Sequence, residues 1–300
     1  MGNRLLFSLR HYSLLGLEEK MGFNRIKIIL VSLVLLIGLL WAAILRQPDE
    51  QLHLVFCDVG EGDAILLYRG SIPILIDGGP NQAVLTCLSR HLPFWDREIE
   101  MLVSTHPDAD HITGLVDVIE RYDVKQFVLN AVGKDSGVYQ EFKEAVLAEG
   151  SPVYFPEEGD EISLESIKLA VLWPLSQEKV LGATTMAGEV NETSVAFQLS
   201  YGDFDVLLPG DISSQVESRL ALEDVEVLKV AHHGSRYSTS ELLLKKSLPE
   251  LAIISVGKNS FGHPTKEVLE KLKELGIEMM RTDEKGEIEI VSDGKTWGIR

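Results

Sequence analysis

The chain has 300 residues, 45% of them hydrophobic, which is enough for one large domain or two small ones with a sizeable core. The net charge is −18; residues 1–46 hold six basic and two acidic side chains, so residues 47–300 carry −22. Such acidity argues against tight, extended nucleic-acid binding, which leaves a basic footprint. Bound cations would offset it locally, so a phosphodiester substrate is not excluded.

Taken in chain order, residues 1–25 read as a basic N-terminal segment, with Met21 a second possible start. Ile26 to Leu45 carries one charge, Lys27, and its length matches the ~20 residues that span a bilayer core. A cleaved secretory signal is the competing reading; the length of the run and Trp41 favour an uncleaved anchor. Arg4, Arg10, Lys20, Arg25 and Lys27 precede the run and only Arg46 closely follows, which places the N-terminus in the cytoplasm and the remainder outside. Residues 46–51 form a short linker, and 52–300 form one domain without a composition break.

Within that domain, strands are expected at 53–59, 63–70 and 72–79, a helix at 81–92, a strand at 99–105, and a helix at 112–122. A strand at 126–130 and a helix at 136–149 follow. The second half repeats the alternation, with strands at 167–172, 194–201, 204–209, 225–231, 251–256 and 287–292, and helices at 213–222, 239–246 and 264–275. Strand-rich blocks with helices in both halves suggest two facing sheets with helices outside. Cys57 lies inside a strand-like run and reads as a buried thiol, and neither it nor Cys87 receives a role.

The chemistry concentrates in MLVSTHPDADHITGL, residues 101–115, where His106, Asp108, Asp110 and His111 fall within six positions. Imidazoles and carboxylates are costly to bury unpaired, and a shared divalent cation satisfies them together. In an extended segment His106, Asp108 and Asp110 would converge, with His111 beginning the next helix. Further candidates stand at strand ends: Asp211 in LLPGDIS, which can bridge two cations, His232 and His233 in LKVAHHGS, and His263 before Pro264. Asp77 in LIDGG is expected to orient a metal-bound histidine. Asn191, Ser194 and Ser235 are candidate substrate contacts; for Asn191 and Ser194, at the opening of a strand, plain strand capping is the alternative.

The motifs DVGEGDAILL, ILIDGGP, THPDADHITGL, LLPGDIS, LKVAHHGS and GHP, in this order, resemble the metallo-β-lactamase-fold domain at the C-terminal end of ComEC competence proteins, from Leu52 onward. That resemblance implies an α/β (αββα) sandwich, here preceded by one transmembrane helix, and one or two divalent ions, zinc or manganese. It implies that His106 and Asp108 hold one metal, that Asp110 and His111 hold the other, and that Asp211 bridges. One of His232 and His233, expected to be His233, joins the ligands while the other faces substrate. Asp108 replaces the second His of the superfamily's His-x-His-x-Asp-His pattern, and the Gly-His-Thr-x-x-Gly-His segment is missing, so one metal position is expected to be poorly ligated. The multi-pass channel region of ComEC is absent, so a separate DNA-uptake channel would be a partner. The implied activity is that of a membrane-anchored, metal-dependent phosphodiesterase on DNA, with Asp110, His232 and His263 catalytic. A cell-envelope phosphoesterase and a catalytically silent binding module are the alternatives.

Overall fold

The computed structural model describes residues 11–44, 49–175 and 190–300, with side chains placed from residue 25 to 41 and from 49 onward within those ranges. By contacts it divides into two units, 1–47 and 48–300. The first unit contains helix α1, His11–Ile44. Its apolar side chains from Ile26 to Trp41 are exposed. Among the described residues no helix is long and apolar enough to cross a membrane. The expected span over 26–45 therefore gains no support from the structure. Arg4, Arg10, Arg46 and part of the 46–51 linker lie outside the described residues.

The second unit is built on two large sheets. It opens with the antiparallel strands β1 (Leu52–Phe56), β2 (Ile65–Arg69) and β3 (Ile72–Ile76). Helix α2 (Ala83–His91) and the short strand β4 (Glu98–Ile99) lead to β5 (Met101–Ser104), which joins β3 in parallel. Helix α3 (Ala109–Ile119) and β6 (Asp123–Val124) precede β7 (Phe127–Leu129), and α4 (Gly137–Glu149) precedes β8 (Val153–Tyr154). The second sheet holds β9 (Glu161–Leu164), β10 (Ile167–Trp173), β11 (Ala196–Tyr201) and β12 (Phe204–Leu208), all antiparallel neighbours. After the one-turn helix α5 (Ser214–Glu217), it continues in parallel through β13 (Val227–Lys229) and β14 (Leu251–Ile254) to β15 (Glu278–Arg281). Helices α6 (Glu241–Ser247) and α7 (Lys266–Glu274) make these crossovers, and a one-turn helix α8 (Thr282–Lys285) leads back to the first sheet. There β16 (Ile288–Ser292) pairs with β1, and β17 (Trp297–Ile299) forms the edge.

Alternation of side chains along each strand explains the layers. In β1, Leu52, Leu54 and Phe56 enter a core shared with the other sheet, whereas Val55 and, just past the strand, Cys57 pack with α2 and α3. In β12, β13 and β14, Phe204, Val206, Val227, Leu251 and Ile253 enter the same shared core, while Leu207, Leu228 and Ala252 pack under α6 and α7. Both faces of these strands are buried, so they appear in the sequence as continuous apolar runs. Helices therefore cover both outer faces, as expected.

Three expectations change. Cys57 is not a free thiol: it is joined to Cys87 of α2 by a disulfide across 30 residues, because the outward face of β1 brings it against that helix. The helix expected from Ile112 begins at Ala109, so Asp110 and His111 both lie in its first turn. The helix expected over 213–222 is the single turn α5.

Close backbone approach sets the position of α3. A Cβ on Gly114 would stand 2.0 Å from the Gly78 carbonyl oxygen, and one on Gly78 would stand 2.6 Å from Leu115 N. The two segments are joined directly, Gly78 N donating to His111 O at 2.7 Å and Gly114 N to Gly79 O at 2.9 Å.

Candidate metal centre

The loops after β5, β12 and β13 bring the candidate ligands together. His111 and His233 are fully buried, and hydrogen bonds on their Nδ1 atoms fix how each ring faces. His111 Nδ1 lies 2.8 Å from Asp77 Oδ2, and His233 Nδ1 lies 2.9 Å from the Ser255 carbonyl oxygen. Both Nε2 atoms are therefore left to face Asp211, whose Oδ2 is 3.4 Å from His111 Nε2 and 3.3 Å from His233 Nε2. Asp110 closes the group, its Oδ2 3.5 Å from His233 Nε2. Donors about 2.0–2.1 Å from a tetrahedral ion stand about 3.3–3.4 Å apart, so this spacing matches a divalent cation held by two imidazoles and two carboxylates.

The chemistry of the donors agrees. His106 Nε2, His111 Nε2, His233 Nε2 and Asp63 Oδ1 are buried without a hydrogen-bond partner. Buried polar atoms are ordinarily paired, so several orphans in one place fit a metal site. Asp63, His111, Asp211 and His233 offer donor atoms that all lie within 4.8 Å of one another. Asp63 nevertheless approaches from behind, 3.8 Å from His111 Nδ1 and 3.7 Å from His233 Nδ1. The Nε2 side, with Asp110, is the better ion position because those nitrogens have no other partner.

Electrostatics bind the cluster tightly. Burial opposes charge on His111, but Asp211 and Asp77 outweigh it and hold its pKa well above the usual value. Burial likewise opposes charge on His233, yet Asp211 and Asp63 push it up to about 10. Burial and then the His111 charge drive His106 well below the ordinary value, leaving it neutral. Burial would raise Asp211, but His233, His111 and Lys229 hold it well below the carboxylate range. Protons on two imidazoles thus supply positive charge that a cation would otherwise bring.

The other expected residues divide by position. His106 is buried with its ring 4.0 Å from that of His111, next to the cluster. Asp108 stands apart: its Oδ1 accepts from Lys134 Nζ at 2.9 Å, because the chain turns into α3 at Ala109 instead of staying extended. His232 is 30% exposed at the rim, its Nε2 4.0 Å from Asp211 Oδ2, with the Asn191 amide nitrogen 3.3 Å away. His263 faces His232 with ring centroids 5.5 Å apart, and its Nδ1 lies 3.2 Å from Glu61 Oε1. Ser194 and Ser235 are both buried, and their hydroxyls accept from Asp211 N at 3.3 Å and Tyr237 N at 3.4 Å. His232 and His233 have φ of 50° and 53°. Left-handed backbone at two adjacent non-glycine residues costs on the order of 1–3 kcal/mol each, a strain that clusters at functional sites.

Three residues inside the quoted motifs received no role from the sequence. Lys229 is 1% exposed and ion-paired with Asp63 and Asp211, and Glu61 pairs with His263. The available signal for Lys229 was a lone charge inside the apolar run VLKVA, since a buried charge must find a partner.

Comparison with known sequences decides the family: a profile of the Metallo-beta-lactamase superfamily matches residues 57–258. The chain belongs to that superfamily. It is 29% identical over 202 residues to ComE operon protein 3 of Bacillus subtilis, covering 64% of this chain and 24% of that protein. It is 28% identical to Recombination protein 2 of Haemophilus influenzae, covering 82% of this chain and 29% of the relative. Competence protein ComA of Neisseria gonorrhoeae is 25% identical, covering 81% and 32%. The chain thus spans a quarter to a third of the length of these relatives. Among solved structures, the metallo-beta-lactamase fold protein YhfI of Bacillus subtilis aligns with TM-score 0.53 at 12% identity, over 81% of this chain and all of that one. The metallo hydrolase Igni18 of Ignicoccus hospitalis aligns with TM-score 0.51 at 15% identity, over 79% and 98%. At these identities the likeness establishes the fold.

Proposed function

We propose that this member of the superfamily is a metal-dependent phosphodiesterase acting on DNA, anchored to the membrane by residues 26–45 with its folded domain outside the cytoplasm. The carrying observation is the convergence of buried, unpartnered His111 and His233 Nε2 atoms on Asp211 and Asp110. A divalent ion, zinc or manganese, held by His111, Asp211 and His233, with Asp110 on the side open to solvent, would supply Lewis-acid polarisation of a phosphoryl oxygen and a lowered pKa for water. Asp110, the ligand-side carboxylate closest to solvent at 35% side-chain exposure, accepts a hydrogen bond from the attacking water and orients it. His232 at the rim is held below the ordinary histidine pKa by burial, so it is neutral near pH 7 and can take up a proton. His263, oriented by Glu61, faces it and donates to the departing oxygen.

DNA is taken from the relatives, which are named for competence and recombination; a separate uptake channel is the corresponding partner. The Cys57–Cys87 disulfide supports an outward-facing domain, since such bonds persist in oxidising compartments. The test is nucleotide release from linear DNA by the full chain. Release is expected only with added metal and is abolished by Asp110→Ala; activity that survives chelation and this substitution sinks the mechanism. The charge of −22 on residues 47–300 favours a second reading, a phosphodiester of the cell envelope in place of DNA. A panel of phosphodiesters separates the two.

A further inference from the structure

Asp211 has two oxygens with different duties. Its Oδ2 faces the two Nε2 atoms, while its Oδ1 lies 3.3 Å from Lys229 Nζ. The same ammonium pairs with Asp63 and donates to the Gly210 carbonyl oxygen at 3.2 Å. Its three N–H donors thus have three acceptors, and it is fully buried. Side-chain alternation in β13 explains the placement: Val227 enters the core between the sheets and Leu228 the outer one, so Lys229 returns to the space between the sheets where Asp63 and Asp211 lie.

A second ion would need the free oxygen of Asp211 together with His106 and Asp108. The first is held by Lys229, and Asp108 stands apart from the cluster, turned toward Lys134 at its edge. Of these three only the His106 Nε2 is without a partner; the other unpartnered oxygen, Asp63 Oδ1, lies on the Nδ1 side of His233, so one imidazole is left, short of the three protein ligands typical of a catalytic ion. We infer that the centre takes a single divalent ion, between Asp110, His111, Asp211 and His233, and that Lys229 supplies as a fixed ammonium the positive charge a second ion would bring. This rests on the metal reading above, though not on its substrate.

Metal content of the purified full chain, loaded with excess zinc or manganese and desalted, tests it without any substrate. One ion per wild-type chain is expected, and His106→Ala is expected to keep it. Lys229→Met, checked for native secondary structure by circular dichroism, should rise toward two ions as Asp63 and Asp211 are released to a second cation. Two ions in the wild type, loss of the ion in His106→Ala, or a folded Lys229→Met that stays at one would each overturn the inference. If Lys229→Met does not fold, the wild-type and His106→Ala counts decide it. One ion without DNA cleavage defeats only the phosphodiesterase reading, whereas no ion defeats both.

Discussion

Two lysine–carboxylate pairs flank the centre and differ in nearly everything except chemistry. Lys229 is 1% exposed and its partners Asp63 and Asp211 are each 2% exposed, whereas Lys134 is 40% and Asp108 24% exposed. A buried charge that loses its partner has no water to turn to, while an exposed one is rehydrated at once. The first pair is therefore part of the framework of the site, and the second is an adjustable contact at its edge.

Breaking the buried pair should have the largest effect. Lys229→Met takes from Asp63 and Asp211 the buried ammonium they share, and its loss in stability should be about 3–5 kcal/mol by urea unfolding without metal. A loss below about 1 kcal/mol would show that water already reaches the pair.

Asp77 lies equally deep but acts through a neighbour. Its carboxylate accepts from Thr105 N at 2.8 Å and Thr105 Oγ1 at 2.6 Å, and holds His111 Nδ1. Asp77→Asn should weaken metal affinity by about 10–100-fold in a chelator competition; unchanged affinity would reduce Asp77 to an anchor for Thr105.

An intermediate case sits between β1 and β16. His53 is buried, with Nδ1 2.7 Å from Glu289 Oε1 and Nε2 2.9 Å from Asp49 Oδ1. Burial opposes its charge, but the two carboxylates outweigh burial and raise its pKa above the ordinary 6.5. Its contribution to stability is then complete below about pH 6.5 and is lost as pH rises through the elevated folded value. Thermal melts across that window should decline for the wild type and stay flatter for His53→Gln; parallel curves would remove the effect. The smallest change belongs to Lys134→Ala, within about 0.5 kcal/mol and further reduced by salt. A larger loss would mean that Asp108 depends on its partner as Asp211 does.

The same contrast explains what the sequence revealed. His106, Asp110, His111, Asp211 and the His232–His233 pair were legible because each follows an apolar strand, and strand ends of facing sheets meet at one edge. Asp108 looked like a ligand because alternate positions of an extended chain share a side, a rule that fails once α3 begins at Ala109. Asp63 and Lys229 were hidden because their partners come from other strands, and no local spacing encodes a contact of β2's approach with β13. The Cys57–Cys87 bond was hidden for the same reason: it depends on which helix covers the outer face of β1.

The contact between Gly78 and Gly114 carries a consequence for how an ion would arrive. With no side chain between them, the first turn of α3 rests on the backbone after β3, and Asp110 and His111 inherit that position. The liganding atoms are thus preorganised by main-chain contact, and capture of an ion has little chain entropy left to remove. Uptake should be governed instead by exchange, as the incoming cation displaces the protons held on His111 and His233.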